Sequence, residues 1–187
     1  MSPRISQPRI PTLDDEDAWT QPQRDLLAPL SRNGRLYNVH KTMANHPDLA
    51  RDWMTFAGHI LRRSTLPARD REILILRTGW LCRAEYEWAQ HVRIGRVAGL
   101  NEADVANIMK GPGAPDLSLH DKLLLQAADE LHDDHFLSDA TWGALKRTYK
   151  TEQVMDLVFT VGQYTLVSMA LNSFGVQLDE GLDGFPK

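Results

Sequence analysis

The chain has one cysteine, Cys82, among its 187 residues. A lone thiol makes no intramolecular disulfide, so no disulfide framework is available. Positive charge is not in excess either: the net charge is −4. The pairs Arg62-Arg63 and Arg69 with Arg71 are spaced like a solvated helix face, so no nucleic-acid partner is expected. The N-terminal stretch MSPRISQPRIP lacks an apolar h-region and carries Pro3, Pro8 and Pro11, which excludes a signal-peptide reading and fits a cytoplasmic setting. The most apolar long stretch, Val154 to Leu171, is interrupted by Asp156 and Gln163 and reads as a buried helix, not a membrane span. There is no Gly-rich phosphate loop, no Ser–His–Asp pattern and no alternating strand of useful length.

What is present suits one compact helical domain with an arm. Apolar residues make up 42% of the chain, enough for an ordinary core. Residues 1–20 form the expected arm, proline-rich and then acidic from Asp14 to Asp17, and residues 21–187 form the expected domain. Ile5, Ile10, Leu13 and Trp19 are more apolar groups than a free tail needs, so the arm is expected to lie across a neighbouring subunit, or else to fold back on its own chain or stay disordered. Helix signals then follow in series. His46-Pro47 opens a segment with Leu49, Trp53, Phe56 and Ile60 at helical spacing. Pro67 fits the first turn of the next helix, and a break near Arg83-Ala84 precedes another that runs to about Ala98. Asn101 with Asp104, Ser118 with Asp121, Ser138 and Thr151 mark four further starts. The expected architecture is all-α, a bundle of about six to eight helices with short connections.

Chemistry is concentrated in Glu72, Glu87 and His91. Glu72 opens an otherwise apolar helical run, where a carboxylate needs a partner. Glu87 and His91 are four residues apart on one helix face, and a carboxylate beside an imidazole orients the ring for acid–base work. By itself an i, i+4 Glu–His pair is more often a surface contact.

The stretch LPARDREILILRTGWLCRAEYEWAQHVRIGRVAG, Leu66 to Gly99, resembles the core signature of the carboxymuconolactone decarboxylase-like superfamily, which also holds alkylhydroperoxidase D-type proteins. Tyr164 and Asn172-Ser173-Phe174-Gly175-Val176 are similar to a common ending in that family. The peroxidase branch carries a glutamate and a Cys-x-x-Cys-x-x-x-His motif. The corresponding positions here are Glu72, Ala84, Glu87 and His91, so both thiols are missing, and Cys82 falls two residues before the first of them. A core role is expected for Cys82. Glu85-Tyr86-Glu87-Trp88-Ala89-Gln90-His91 looks like the decarboxylase branch instead.

That resemblance implies a cofactor-free lyase that decarboxylates a small carboxylated lactone or related ring compound. His91 would be the acid, Glu87 would set its tautomer and Glu72 would orient it or shuttle its proton. Arg77 would hold a substrate carboxylate, with a plain salt bridge as the alternative, and Trp88 would line the pocket. The resemblance also implies a homo-oligomer, a trimer or a hexamer. A small-molecule substrate is the expected partner, with neither nucleic acid nor membrane. No metal is expected: His132-Asp133-Asp134-His135 lacks a third ligand nearby. A non-enzymatic helical oligomer that keeps the family pocket is the rival reading, ahead of a thiol peroxidase.

Overall fold

A computed structural model describes residues 5–31 and 35–186, and nine α-helices run through them with no strand among the described residues. They are α1 (Gln21–Leu27), α2 (Asn38–Met43), α3 (Pro47–Arg62), α4 (Ala68–Leu81), α5 (Glu85–Val97), α6 (Glu102–Lys110), α7 (Leu119–Asp133), α8 (Asp139–Thr148) and α9 (Thr151–Phe174). The all-α class is as read from the sequence. The count exceeds six to eight because α1 and α2 form from polar, short segments whose periodicity is too brief to register.

Local chemistry sets most boundaries. Asn101 and Asp104 make a reciprocal capping box at α6, while Ser118 and Ser138 each accept a backbone N–H three residues on. Pro67 is the N-cap of α4, one position before its first turn. Lys150, not Thr151, occupies the N-cap of α9, and Gln153 reaches back to its backbone N–H. Arg83 adopts a positive φ of 53°, which turns the chain between α4 and α5.

Helix α4 is the axis of the fold. It packs on α5, α7 and α9, and an unbroken run from Glu72 to Gly79 is buried. Leu74, Leu76, Leu124, Leu125, Leu145 and Leu157 meet in the main core. A second cluster, including Ile60, Ile75, Tyr86, Tyr164 and Leu171, joins α3, α4, α5 and α9. Helix α9 is long and apolar enough to cross a membrane by length and composition alone. Val154, Leu157, Val161, Tyr164 and Leu171 nevertheless lie buried in these two cores.

The arm packs on its own chain. The backbone N–H groups of Arg9 and Ile10 donate to Phe174 O at 2.8 and 3.1 Å, and Trp19 is buried against Leu27 and Ala44. Gly175 ends α9 at φ 71°, and a Cβ there would stand 2.6 Å from Ile5 Cδ1 and 2.9 Å from Gln7 O. Only glycine serves both the left-handed turn and the close crossing of the arm.

Candidate active site

Burying α4 on all sides forces every polar group on it to find a partner. Asp70 accepts from Tyr149 Oη at 2.6 Å, Thr78 donates to Leu74 O at 2.8 Å, and Arg77 grips Asp129 through Nε at 2.6 Å and a terminal nitrogen at 2.8 Å. Glu72, fully buried, turns to α5. Its Oε2 lies 2.6 Å from His91 Nδ1, while Arg71 reaches round the helix to Oε1 at 3.1 and 3.2 Å. Gly95, one turn beyond His91, brings the helices together: a Cβ there would meet Leu100 Cδ1 at 2.9 Å, Leu76 Cδ1 at 3.4 Å and Glu72 Cβ at 3.7 Å.

His91 is held on both nitrogens. Glu87 Oε1 lies 2.9 Å from Nε2, closing the i, i+4 pair. Tyr164 Oη lies 3.1 Å from the same nitrogen, its ring edge-on to the imidazole with centroids 4.9 Å apart. Glu72, Glu87 and His91 thus converge, as their spacing predicts. Side-chain exposure rises along the chain, 0% at Glu72, 5% at His91 and 10% at Glu87, so Glu87 is its outer end.

The electrostatics favour a charged ring. Burial opposes the imidazolium, but the charge of Glu72 and the hydrogen bonds and charge of both carboxylates outweigh it, and the His91 pKa is held up to about 9. Arg71 and an imidazolium balance the two carboxylates. Burial, followed by the negative charge of Glu87 and Glu72, pushes the Tyr164 phenol well above its usual range, so the phenol keeps its proton. With both ring nitrogens protonated, Nε2–H lies against both Tyr164 Oη and the Glu87 carboxylate, and the hydroxyl hydrogen of Tyr164 is free to serve another acceptor.

Three sequence expectations fail here. Arg77 does not face the cluster: its guanidinium is spent on Asp129 and on the carbonyls of Ile108 and Met109 at 2.9 and 3.0 Å, capping the end of α6. Trp88 is 2% exposed and packs against Trp80 and Phe185, with centroids 5.3 and 5.8 Å away. It is a core residue. Cys82 is half-buried rather than a core thiol, and its Sγ lies 3.8 Å from His132 Nδ1. Ala84, at the first thiol position of the resemblance, is the N-cap of α5. The clefts of about 330, 460 and 480 Å³ are lined by residues other than the Glu72–His91–Glu87 chain.

Sequence reasoning missed Arg71 and Tyr164 as members. Tyr164 carried a usable signal, a phenol on the apolar stripe of a buried helix, where its hydroxyl needs a partner.

Residues 47–129 match the model of the carboxymuconolactone decarboxylase family. No curated protein matches the chain. Among solved structures, an uncharacterized peroxidase-related protein from Ralstonia eutropha JMP134, an alkylhydroperoxidase AhpD core, superimposes with a TM-score of 0.79 at 18% identity, covering 92% of this chain and 93% of that one. A peroxidase-related protein from Silicibacter sp. TM1040 gives 0.76 at 13% identity over 94% and 96% of the two chains. The debrominase Bmp8 in its apo form gives 0.73 at 15% identity over 91% and 92%. At these identities the likeness is one of fold.

Proposed function

We propose that the chain, whose residues 47–129 match the carboxymuconolactone decarboxylase family and whose fold is like that of AhpD-type proteins, is a cofactor-free lyase that decarboxylates a small carboxylated lactone or related ring compound. The observation that carries the proposal is the buried Glu72–His91–Glu87 chain with a protonated ring at its centre. When the substrate's C–C bond to its carboxylate breaks, carbon dioxide leaves and the electron pair moves into the conjugated carbonyl as a dienolate. The protein then has to stabilise the oxyanion and return a proton to carbon. With both imidazole nitrogens engaged by carboxylates, His91 supplies its proton through Glu87, the outermost member, and Glu72 holds the ring from behind. On this reading the free hydroxyl hydrogen of Tyr164 donates to the oxyanion. This chemistry moves protons, not electrons, in keeping with the absence of cysteine at Ala84 and Glu87.

A second reading draws on the same geometry. The buried ion pairs saturate His91, as they would in a non-enzymatic binding or assembly protein. A pH–rate profile on a panel of lactone acids and β-keto acids separates the two. A lyase loses rate as pH climbs through the His91 ionisation, held near 9 rather than at neutrality, and His91→Gln abolishes turnover while circular dichroism stays helical. Cys82→Ser leaves the rate unchanged. No turnover on any member of the panel sinks the lyase and leaves the binding protein.

We further propose a homo-oligomer, a trimer or a hexamer. Support comes from Leu49 and Phe56 on α3 and from Met155, Phe159, Leu166 and Met169 on α9, which stay exposed in the single chain.

A further inference from the structure

A cleft of about 460 Å³ lies between the first turns of α7 and the last turns of α8. It shares no residue with the Glu72–His91–Glu87 chain. Leu119, Leu123 and Ala144 give it an apolar wall, Lys122 and Arg147 a cationic one, and His120 lies at its edge. Leu119 is 88% exposed, so nothing in its own chain covers that wall. No carboxylate lines the cleft, and Lys122 and Arg147 have no ion-pair partner among the described residues. Two cations beside one hollow repel each other until an anion enters.

His120 is held from behind. Its Nε2 is 3.1 Å from Asp70 Oδ2 and 3.1 Å from Tyr149 Oη. Asp70 and Tyr149 are buried and bonded to each other at 2.6 Å. Asp70 therefore accepts from the phenol, and the phenol oxygen in turn accepts from His120 Nε2–H, which holds the ring. His120 Nδ1 has no partner among the described residues, and the side chain is 39% exposed. A buried carboxylate that orients an imidazole by one nitrogen leaves the other set for a ligand.

We propose that this cleft binds a small organic carboxylate with an apolar body. Lys122 and Arg147 take the carboxylate, His120 edges the site beside them, and Leu119, Leu123 and Ala144 cover the body. The volume falls in the range usual for small-molecule sites. An inorganic anion alone would leave the leucines uncovered, and a neutral ring would leave the cations unpaired.

The test is an NMR titration of the full chain with sodium benzoate, with inorganic phosphate as the charge-only probe and benzyl alcohol as the neutral one. Benzoate is expected to give saturable amide shifts confined to residues 119–126 and 144–148. Phosphate and benzyl alcohol should bind at least about tenfold more weakly. The double variant Lys122→Gln/Arg147→Gln, altered only at exposed positions, should raise the benzoate Kd by roughly tenfold or more. His91→Ala should leave benzoate binding as it is, so this site stands or falls apart from the lyase. Shifts that do not saturate, that map elsewhere, or that persist in the double variant overturn the proposal. Phosphate binding as tightly as benzoate does so too.

Discussion

Replacing Glu72 by glutamine tests the electrostatics of the site most directly. In the native chain burial alone would press the His91 pKa below 6.5, and Glu72, then Glu87, reverse this to about 9. Each pH unit of that difference is worth about 1.4 kcal/mol, so the imidazolium is stabilised in the fold by about 3 kcal/mol relative to the open chain. The folded-state value lies above the unfolded one. The stabilisation is therefore complete below about pH 6.5 and drains away as pH rises through about 9. Glu72→Gln keeps the shape and one hydrogen bond at Nδ1 but removes the nearest charge, and the desolvation of the ring then goes largely unopposed. The His91 carbon-bound ring protons, followed by NMR against pH, should titrate near 9 in the native chain and markedly lower in Glu72→Gln. Glu87→Gln should cause a smaller fall, because Glu72 contributes more to the charged form. Urea denaturation should show the native chain losing stability between about pH 6.5 and 9, and Glu72→Gln losing less over the same interval. A native His91 midpoint at or below 6.5, or equal titrations in native and Glu72→Gln chains, would refute the account.

Arg77→Met should cost about 3–5 kcal/mol in urea denaturation, since it strands Asp129 and the carbonyls of Ile108 and Met109 without their donor. The helical spectrum and the His91 titration should be unaltered, because Arg77 does not touch the cluster. Light scattering at micromolar concentration should give a multiple of the monomer's 21.2 kDa, and a mass near that value would remove the oligomer.

Helix starts were legible because they are local. Asn101, Ser118 and Ser138 act within three residues of themselves, and that spacing is visible in one dimension. The convergence of Glu87 with His91 was legible for the same reason. Arg71 was not, since neighbours at i and i+1 point to different faces of a helix, and only the length of the arginine lets it wrap back to Glu72. Arg77 and Trp88 were misassigned because adjacency to the cluster was taken as direction. The packing of α6 and α7 turned Arg77 towards Asp129, and Trp80 with Phe185 claimed Trp88. Phe185 comes from the far end of the chain, a contact that no periodicity encodes.

Glu87, at the second thiol position of the resemblance, gives the site its character. A cysteine at position 87 would leave His91 Nε2 beside a sulfur able to exchange electrons with a second thiol. Glutamate there instead supplies a second anion to the ring, and Arg71 becomes the countercharge that lets two carboxylates share one buried imidazole. Without Arg71, two anions would face a single cation at the centre of the fold, a net charge that burial strongly disfavours. With it the group is neutral, and its mobile element is the proton between His91 Nε2 and Glu87. Since Glu87 is also the member nearest the surface, that proton has its shortest way out of the fold through Glu87, and in the lyase proposed above the acid that would meet a substrate is the glutamate, recharged by the histidine behind it.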